Sequence, residues 1–387
     1  MCDMQDNGGE SRRDGKTIPV NHAVGMVLAH DITEIRAEEF KGRAFKKGHI
    51  ITKEDICHLR RLGKERLFVM NIGDDEMHED DAACVLACAL MGEGVKTGGE
   101  PKEGKINIIA ERDGLLKIRE GALKQFNMVG EVMCATLHTN TVVKAGQVVA
   151  GTRAVPLVVK KSVIAEAVAA AESAGRIVEV KELRKPKAGV VITGNEIYYG
   201  RIKDSFAPII KRKLQELGGE IIGTYYAPDD ESFIKARLKE LLEAGADLLI
   251  TTGGMSVDPD DVTRFAIRNL GAGEIAYGSA VLPGSMVLVA YLRKDSRGRV
   301  VKDSSEKNKT PSLESSNPGI LEPGMSVVPI LGVPACGMYH RTTVFDLVLP
   351  RILAGEVIGR RELAELGHGG LCLNCPVCRY PVCPFGK

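Results

Sequence analysis

Tryptophan is absent from this chain of 387 residues, and aromatic residues make up only 4% of it. A nucleic-acid reader that stacks bases on rings is therefore poorly provisioned. An excess of charge is also lacking: 52 Lys and Arg face 51 Asp and Glu, a formal charge of +1, which leaves no basic footprint for DNA or RNA. Long apolar runs are missing too. The most apolar short stretch, residues 82–91, is about half of what a bilayer requires. Residues 1–16 are polar and mixed in charge, without the apolar centre of a secretion signal. The chain thus reads as cytoplasmic, with no membrane and no nucleic-acid partner. In that setting ten cysteines point to core thiols or metal ligands and away from a disulfide framework. No repeat of solenoid period is evident.

What is present is enough apolar residue, 44%, to bury sizeable cores, in a length that allows two or three domains. Residues 1–104 read as an N-terminal α+β region and linker. Within it a helix is expected over 53–62, stopped by Gly63, and a strand over 66–70. An apolar helix should follow an acidic lead over 74–91, and the Gly/Lys/Glu-rich residues 91–104 read as a linker. Residues 105–186 read as a β-rich module with a helix over 161–174. Lys144-Ala145-Gly146 is expected to turn a hairpin between the runs at 141–143 and 147–150.

From residue 187 the pattern becomes strand–helix alternation, which predicts an α/β domain over 187–360 with a doubly wound, mostly parallel sheet. The polar residues 303–324 read as an insertion between two of its strands.

In such a sheet ligands bind beyond the carboxyl ends of the strands. Two runs deliver chemistry there. One ends in Thr193-Gly194-Asn195-Glu196, the other in Thr251-Thr252-Gly253-Gly254-Met255-Ser256. Paired glycines let backbone N–H groups approach an anion, and the hydroxyls of Thr251, Thr252 and Ser256 add donors. Gly253-Gly254 reads equally as a plain strand-to-helix turn. This is not a Walker loop, since the spaced glycine leading into Lys-Ser/Thr is missing.

Asp258, Asp260 and Asp261 crowd three carboxylates beside the glycines, and a hard cation such as magnesium would relieve their repulsion. Helix capping is the competing role for them, and for one of Asp229 and Asp230. Glu196 has no capping role visible in the sequence.

Thr193-Gly194-Asn195-Glu196-Ile197, Asp229, and Thr252-Gly253-Gly254-Met255-Ser256-Val257 with Asp261 and Thr263 together resemble the molybdopterin-binding domain of the molybdopterin molybdenumtransferases. These are the MoeA-type molybdenum insertases, with gephyrin as a eukaryotic relative. The resemblance covers residues 187–290 and, more weakly, 327–355. It implies that the ligand is molybdopterin or molybdopterin-AMP, with its phosphate end on the Gly253-Gly254 loop and with Thr193, Gly194, Pro283, Gly284 and Pro334 in binding segments. It implies that Glu196, Asp229 and Asp261 handle Mg2+ and molybdate, that AMP is released as molybdate enters the dithiolene, and that the protein is a homodimer.

The chain departs from the family's pattern in three places. Asn195 stands where the family has Asp, Pro283-Gly284-Ser285-Met286 replaces Pro-Gly-Lys-Pro, and Pro334-Ala335-Cys336-Gly337 replaces Pro-Gly-Asn-Pro. The lost lysine removes a cation suited to an oxyanion. Two readings follow: an insertase for molybdenum or tungsten, and a non-catalytic carrier or sensor that serves a molybdo- or tungsto-oxidoreductase.

Residues 361–387 end in Cys372, Cys375, Cys378 and Cys383, spaced C-x2-C-x2-C-x4-C. Thiolates at that spacing can share one centre, zinc or a [4Fe–4S] cluster. The tail is expected to be an appendage outside the α/β core.

Overall fold

The computed structural model describes residues 17–36, 40–69, 73–255, 262–295, 297–301 and 326–386. The expected insertion at 303–324, and Ser256 and Asp261 of the candidate site, lie outside them. The chain divides into two compact units: one comprises residues up to 139 with 143–180, the other residues 140–142 with 181 onward. The expected breaks at 104 and 186 thus become a single one near 180. Residues 91–104 are not a free linker, because Val95–Thr97 is a strand paired with Lys105–Ala110.

In the first unit the helix Lys53–Arg61 forms where the pattern predicts it. A Thr52/Asp55 capping box opens it, and Gly63 follows at φ +74°. The run at 148–154 pairs with 105–110 and 132–136, so it does not form the expected hairpin across Gly146. Leu86, Ile108, Leu116 and Phe126 are fully buried at the centre of this unit. A polar clamp holds the start of the helix Glu79–Leu90. Lys47 Nζ donates to Asp80 Oδ2 at 2.7 Å and lies against His78 Nδ1. His78 Nε2 reaches the Ala29 carbonyl at 3.0 Å. A carbonyl only accepts, so the ring proton sits on Nε2 and Nδ1 is the acceptor for the Asp80 N–H.

The second unit is the α/β domain. Its elements are β1 (Lys187–Thr193), α1 (Asn195–Tyr198), α2 (Phe206–Glu216), β2 (Glu220–Ala227), α3 (Glu231–Glu243), β3 (Leu248–Thr252), α4 (Thr263–Leu270), β4 (Gly273–Tyr277), β5 (Leu288–Lys294), β6 (Val300–Val301), β7 (Ser326–Val333), α5 (Val344–Leu353) and α6 (Arg360–Glu365). The sheet order is β2-β1-β3-β7-β5-β4, with β6 beside β5. The β2-β1-β3-β7 half is parallel. β5 runs against both β7 and β4, so the sheet is mixed, with its parallel half carrying the predicted strand–helix repeats.

Alternation along each strand feeds two cores. Ala188, Val190 and Ile192 of β1 face Phe206, Ile210 and Leu214 of α2 and the apolar side of α5. Val191 and Leu249 face Ile234, Leu238 and Leu241 of α3 and Ala266 and Ile267 of α4. Strands covered on both faces must be apolar at every position, which is why β1 and β3 read as unbroken apolar runs. Among the described residues no helix is long and apolar enough to cross a membrane.

The tail is built into this unit. Phe385 is 3% exposed in the same core as α2 and α5, with Cys372, Tyr380 and Cys383 packed against it. This corrects the expectation of an appendage: the final aromatic has no apolar cover except the core. Phe385→Ala should lower the unfolding free energy of this unit by about 3 kcal/mol. Urea denaturation followed by circular dichroism measures this; an unchanged midpoint would mean the tail stands apart.

Candidate functional site

The strand register brings the predicted motifs to one edge. Ile192 pairs with Thr252, and Thr252 with Val333, so β1, β3 and β7 end side by side. Leu288, which opens the reversed β5, pairs with Gly332, so the 278–287 loop rises at the same edge. The Thr193–Glu196, Thr251–Met255, Pro283–Gly284 and Pro334 segments are therefore neighbours along one rim of the sheet.

The centre is a knot of threonines. Thr193, Thr251, Thr252 and Thr263 are each 2% exposed or less. Thr193 Oγ1 donates to the Thr252 carbonyl at 2.8 Å and lies 3.3 Å from Thr263 Oγ1. Among the described residues the hydroxyls of Thr251 and Thr252 have no hydrogen-bond partner. Burying such a group unpaired costs free energy.

The glycines serve the protein's own packing. Gly253 and Gly254 are left-handed, at φ +79° and +58°. A Cβ on Gly253 would stand 2.5 Å from the Thr193 carbonyl oxygen, and one on Gly254 would stand 2.3 Å from Thr263 Oγ1. Gly284, at φ +124°, is pressed onto Val344 at the start of α5, where a Cβ would meet Cγ1 at 2.6 Å. Any bulky substitution at these glycines would thus disturb the turn before it could report on a ligand.

The acids separate by role. Asp230 caps α3, accepting the Phe233 N–H at 2.7 Å. Asp229 instead turns to the neighbouring loop and accepts the Asn195 N–H at 3.0 Å, while its own N–H donates to Asn195 Oδ1 at 3.3 Å. Asn195 thus donates through its backbone N–H and accepts through its side-chain oxygen. Glu196 is exposed in the first turn of α1, a helical setting that its sequence context did not announce. Its carboxylate folds over Gly194, where a Cβ would approach Oε1 to 2.9 Å.

Two further groups join the rim. Asp204 accepts the Phe206 N–H at 2.7 Å at the start of α2 and the Tyr226 hydroxyl at 3.2 Å. Burial, and then the Asp204 charge, push the Tyr226 phenol up. Asp204-Ser205 ahead of an amphipathic run was a readable capping signal; the pairing with Tyr226 needs the fold. Tyr277 of β4 donates to the Met255 carbonyl at 2.5 Å, fixing the far end of the glycine turn.

The tail thiols are also placed. Among the described residues no three His, Cys, Asp or Glu side chains stand together as metal ligands, so the four tail cysteines are not gathered. Cys336, in the Pro334 loop, is half-buried, and burial pushes its thiol up.

Residues 189–354 match a family model described as "Probable molybdopterin binding domain". Residues 17–71 match one described as a domain of unknown function (DUF8806). The chain is similar to a CinA-like protein of Mycobacterium avium (strain 104), 28% identical over 205 residues and covering 46% of each. It is similar to a CinA-like protein of Mycobacterium tuberculosis (strain CDC 1551 / Oshkosh), 40% identical over 77 residues, 20% of this chain and 18% of the relative. It therefore spans about half the length, or less, of these curated relatives. Among solved structures, the tungsten cofactor synthesizing protein MoaB from Pyrococcus furiosus is 17% identical, covers 44% of this chain and 97% of its own, and has a TM-score of 0.28.

The orphan hydroxyls permit a test that spares the glycines. Thr252→Val keeps the side-chain shape and removes one unpaired buried group. The ligand-free protein should gain about 1 kcal/mol in stability, while affinity for a pterin phosphate should fall. Thermal unfolding with and without ligand measures both; a stability loss without ligand would mean that the hydroxyl is already satisfied.

Proposed function

We propose that the α/β unit binds molybdopterin or molybdopterin-AMP at the rim formed by β1, β3 and β7, and that the protein acts in molybdenum or tungsten cofactor biosynthesis. The observation that carries this reading is the coincidence of the 189–354 family match with a rim holding two buried hydroxyls that have no partner among the described residues, beside a glycine turn. Both hydroxyls gain if a phosphate or pterin oxygen reaches them.

On this reading Thr193, Gly194, Thr251, Thr252, Gly253, Gly254 and Ser256 bound the anion. Pro283, Gly284 and Pro334 shape the neighbouring wall. Glu196, Asp229 and Asp261 hold Mg2+ against the ligand's phosphates and the incoming oxyanion. The chemistry is that of a molybdopterin molybdenumtransferase: Mg2+-dependent release of AMP coupled to insertion of molybdate or tungstate. The protein's own part is to bring Glu196 and Asp229 to one rim and to exclude water from the threonine knot. Two copies would form the working dimer.

Asn195 favours a second reading. Its side chain is committed to Asp229, and the lysine that the insertase pattern has in the 283–286 segment is absent. A binder with fewer charged groups would carry the cofactor to a molybdo- or tungsto-oxidoreductase without transforming it.

Glu196→Gln and Asp261→Asn nearly preserve shape and remove charge. Both should retain pterin binding and lose Mg2+-dependent AMP release from adenylylated molybdopterin, measured by chromatography of the nucleotide. Wild-type protein that binds the pterin but releases no AMP with either molybdate or tungstate would select the carrier reading. Absence of pterin binding would overturn both.

A further inference from the structure

We propose that residues 369–386 form a thiolate metal site that clasps the ligand rim, with Cys372, Cys375, Cys378 and Cys383 closing round one zinc ion or one iron–sulfur cluster. The proposal stands on how this segment is anchored and on what it lacks, and does not depend on which pterin the rim takes.

The segment is a closed loop. The Gly386 N–H donates to the Gly369 carbonyl at 3.0 Å, so all four thiols lie on a stretch whose ends are held together. Between its ends the loop has no helix, and it exposes its aliphatic side chains: Leu371 is 65% exposed, Leu373 74%, Val377 69% and Val382 86%. A short loop with its aliphatic groups in water has no core of its own, and chains of this kind are ordered by a cross-link or a metal.

The cysteines supply the means. Cys372 and Cys383 already lie inward against the core. The Thr342 hydroxyl lies 3.4 Å from Cys378 Sγ. Cys375 is exposed. Since no three ligands stand together among the described residues, binding must turn Cys375 inward and tighten the loop.

That tightening reaches the rim. The Leu282 N–H donates to the Gly370 carbonyl, and the Cys372 N–H donates back to the Leu282 carbonyl, each at 2.8 Å. Leu282 is the residue before Pro283 and Gly284. Asn374 Oδ1 lies 2.9 Å from His340 Nδ1, in the loop that follows Pro334. A metal in the tail therefore fixes two of the loops at the edge where β3 and β7 end. Its occupancy would set how rigidly that wall of the site is held.

The test uses the full chain, reduced and purified without air. It is reconstituted in separate arms with zinc, with cobalt(II) as a coloured reporter, and with ferrous iron plus sulfide. One arm should give a stoichiometric centre. A cobalt spectrum with thiolate-to-metal charge transfer marks a zinc-type site, and broad visible absorbance lost in air marks a cluster. Cys375→Ser combined with Cys378→Ser changes only the exposed and half-exposed thiols, leaving the two packed on the core. This variant should stay folded by circular dichroism and lose stoichiometric binding. Hydrogen exchange at the Leu282 and Cys372 amides should slow in the loaded wild type. No bound metal in any arm overturns the proposal, as does equal binding by the double variant. Loading that leaves exchange at both amides unchanged overturns the clasp.

Discussion

The close approach of the Gly253–Gly254 turn to Thr193 and Thr263 is the constraint on which the rim is built. Two consecutive left-handed residues with no room for a Cβ draw the end of β3 against the end of β1 and the start of α4. Thr193 then finds the Thr252 carbonyl, and the Thr251 and Thr252 hydroxyls are sealed from water without partners among the described residues. The same economy of side chain recurs lower in the sheet. Gly189 of β1 and Gly223 of β2 leave space for Leu241, whose atoms would lie 2.8 Å and 2.7 Å from a Cβ at either position. α3 is thereby seated close enough for its capped N-terminus to bring Asp229 beside Asn195. The placement of an acid on the rim thus follows from glycines in the middle of the strands.

The opposite face is held by charge. Lys213 of α2 lies against Asp346 and also donates to the Arg341 carbonyl at 3.0 Å, while Asp346 closes the Thr343 capping box of α5. Both partners are nearly buried, at 9% and 15% side-chain exposure. Removing either alone would strand a charge, which costs far more than the pair contributes. The pair fixes the segment 340–346, against which the tail packs through Thr342 and Tyr380. One ion pair thus supports α5, the Pro334 loop and the tail together.

Much of the α/β unit was legible because its signals are local. Unbroken apolar strands, amphipathic helices and terminal glycines name β1, β2, β3 and their helices nearly to the residue. The antiparallel course of β5 was not legible, since direction depends on what pairs across the 302–325 segment and not on the residues of the strand. The tail was misread as an appendage for a related reason: a single aromatic, Phe385, in a proline- and cysteine-rich stretch carries no periodicity, and only tertiary contact shows that it is core. In the first unit the helix Glu120–Met128 went unanticipated, because Gly121 and Asn127 dilute its pattern. At the site the acids were found by type, but their roles were separated only by geometry. Asp230 and Asp229 are adjacent in sequence, yet one turns to its own helix and the other to the next loop.

The electrostatics of the rim bear on what it can hold. Three of the nearby cations are engaged elsewhere: Arg201 over the Tyr199 ring, Arg264 over Phe265 and Tyr277, and Lys213 in its buried pair. Glu196, Asp204 and Asp229 carry carboxylates along the same edge. An anionic ligand approaching this edge meets acids, so its charge must be met by backbone N–H groups, by the threonine hydroxyls and by a cation that arrives with it. On the proposed reading that cation is Mg2+, shared between ligand phosphates and carboxylates. Binding of the pterin and of the metal should therefore be coupled in sign, each raising the affinity for the other, because the acids that repel the ligand alone are the groups that hold the ion.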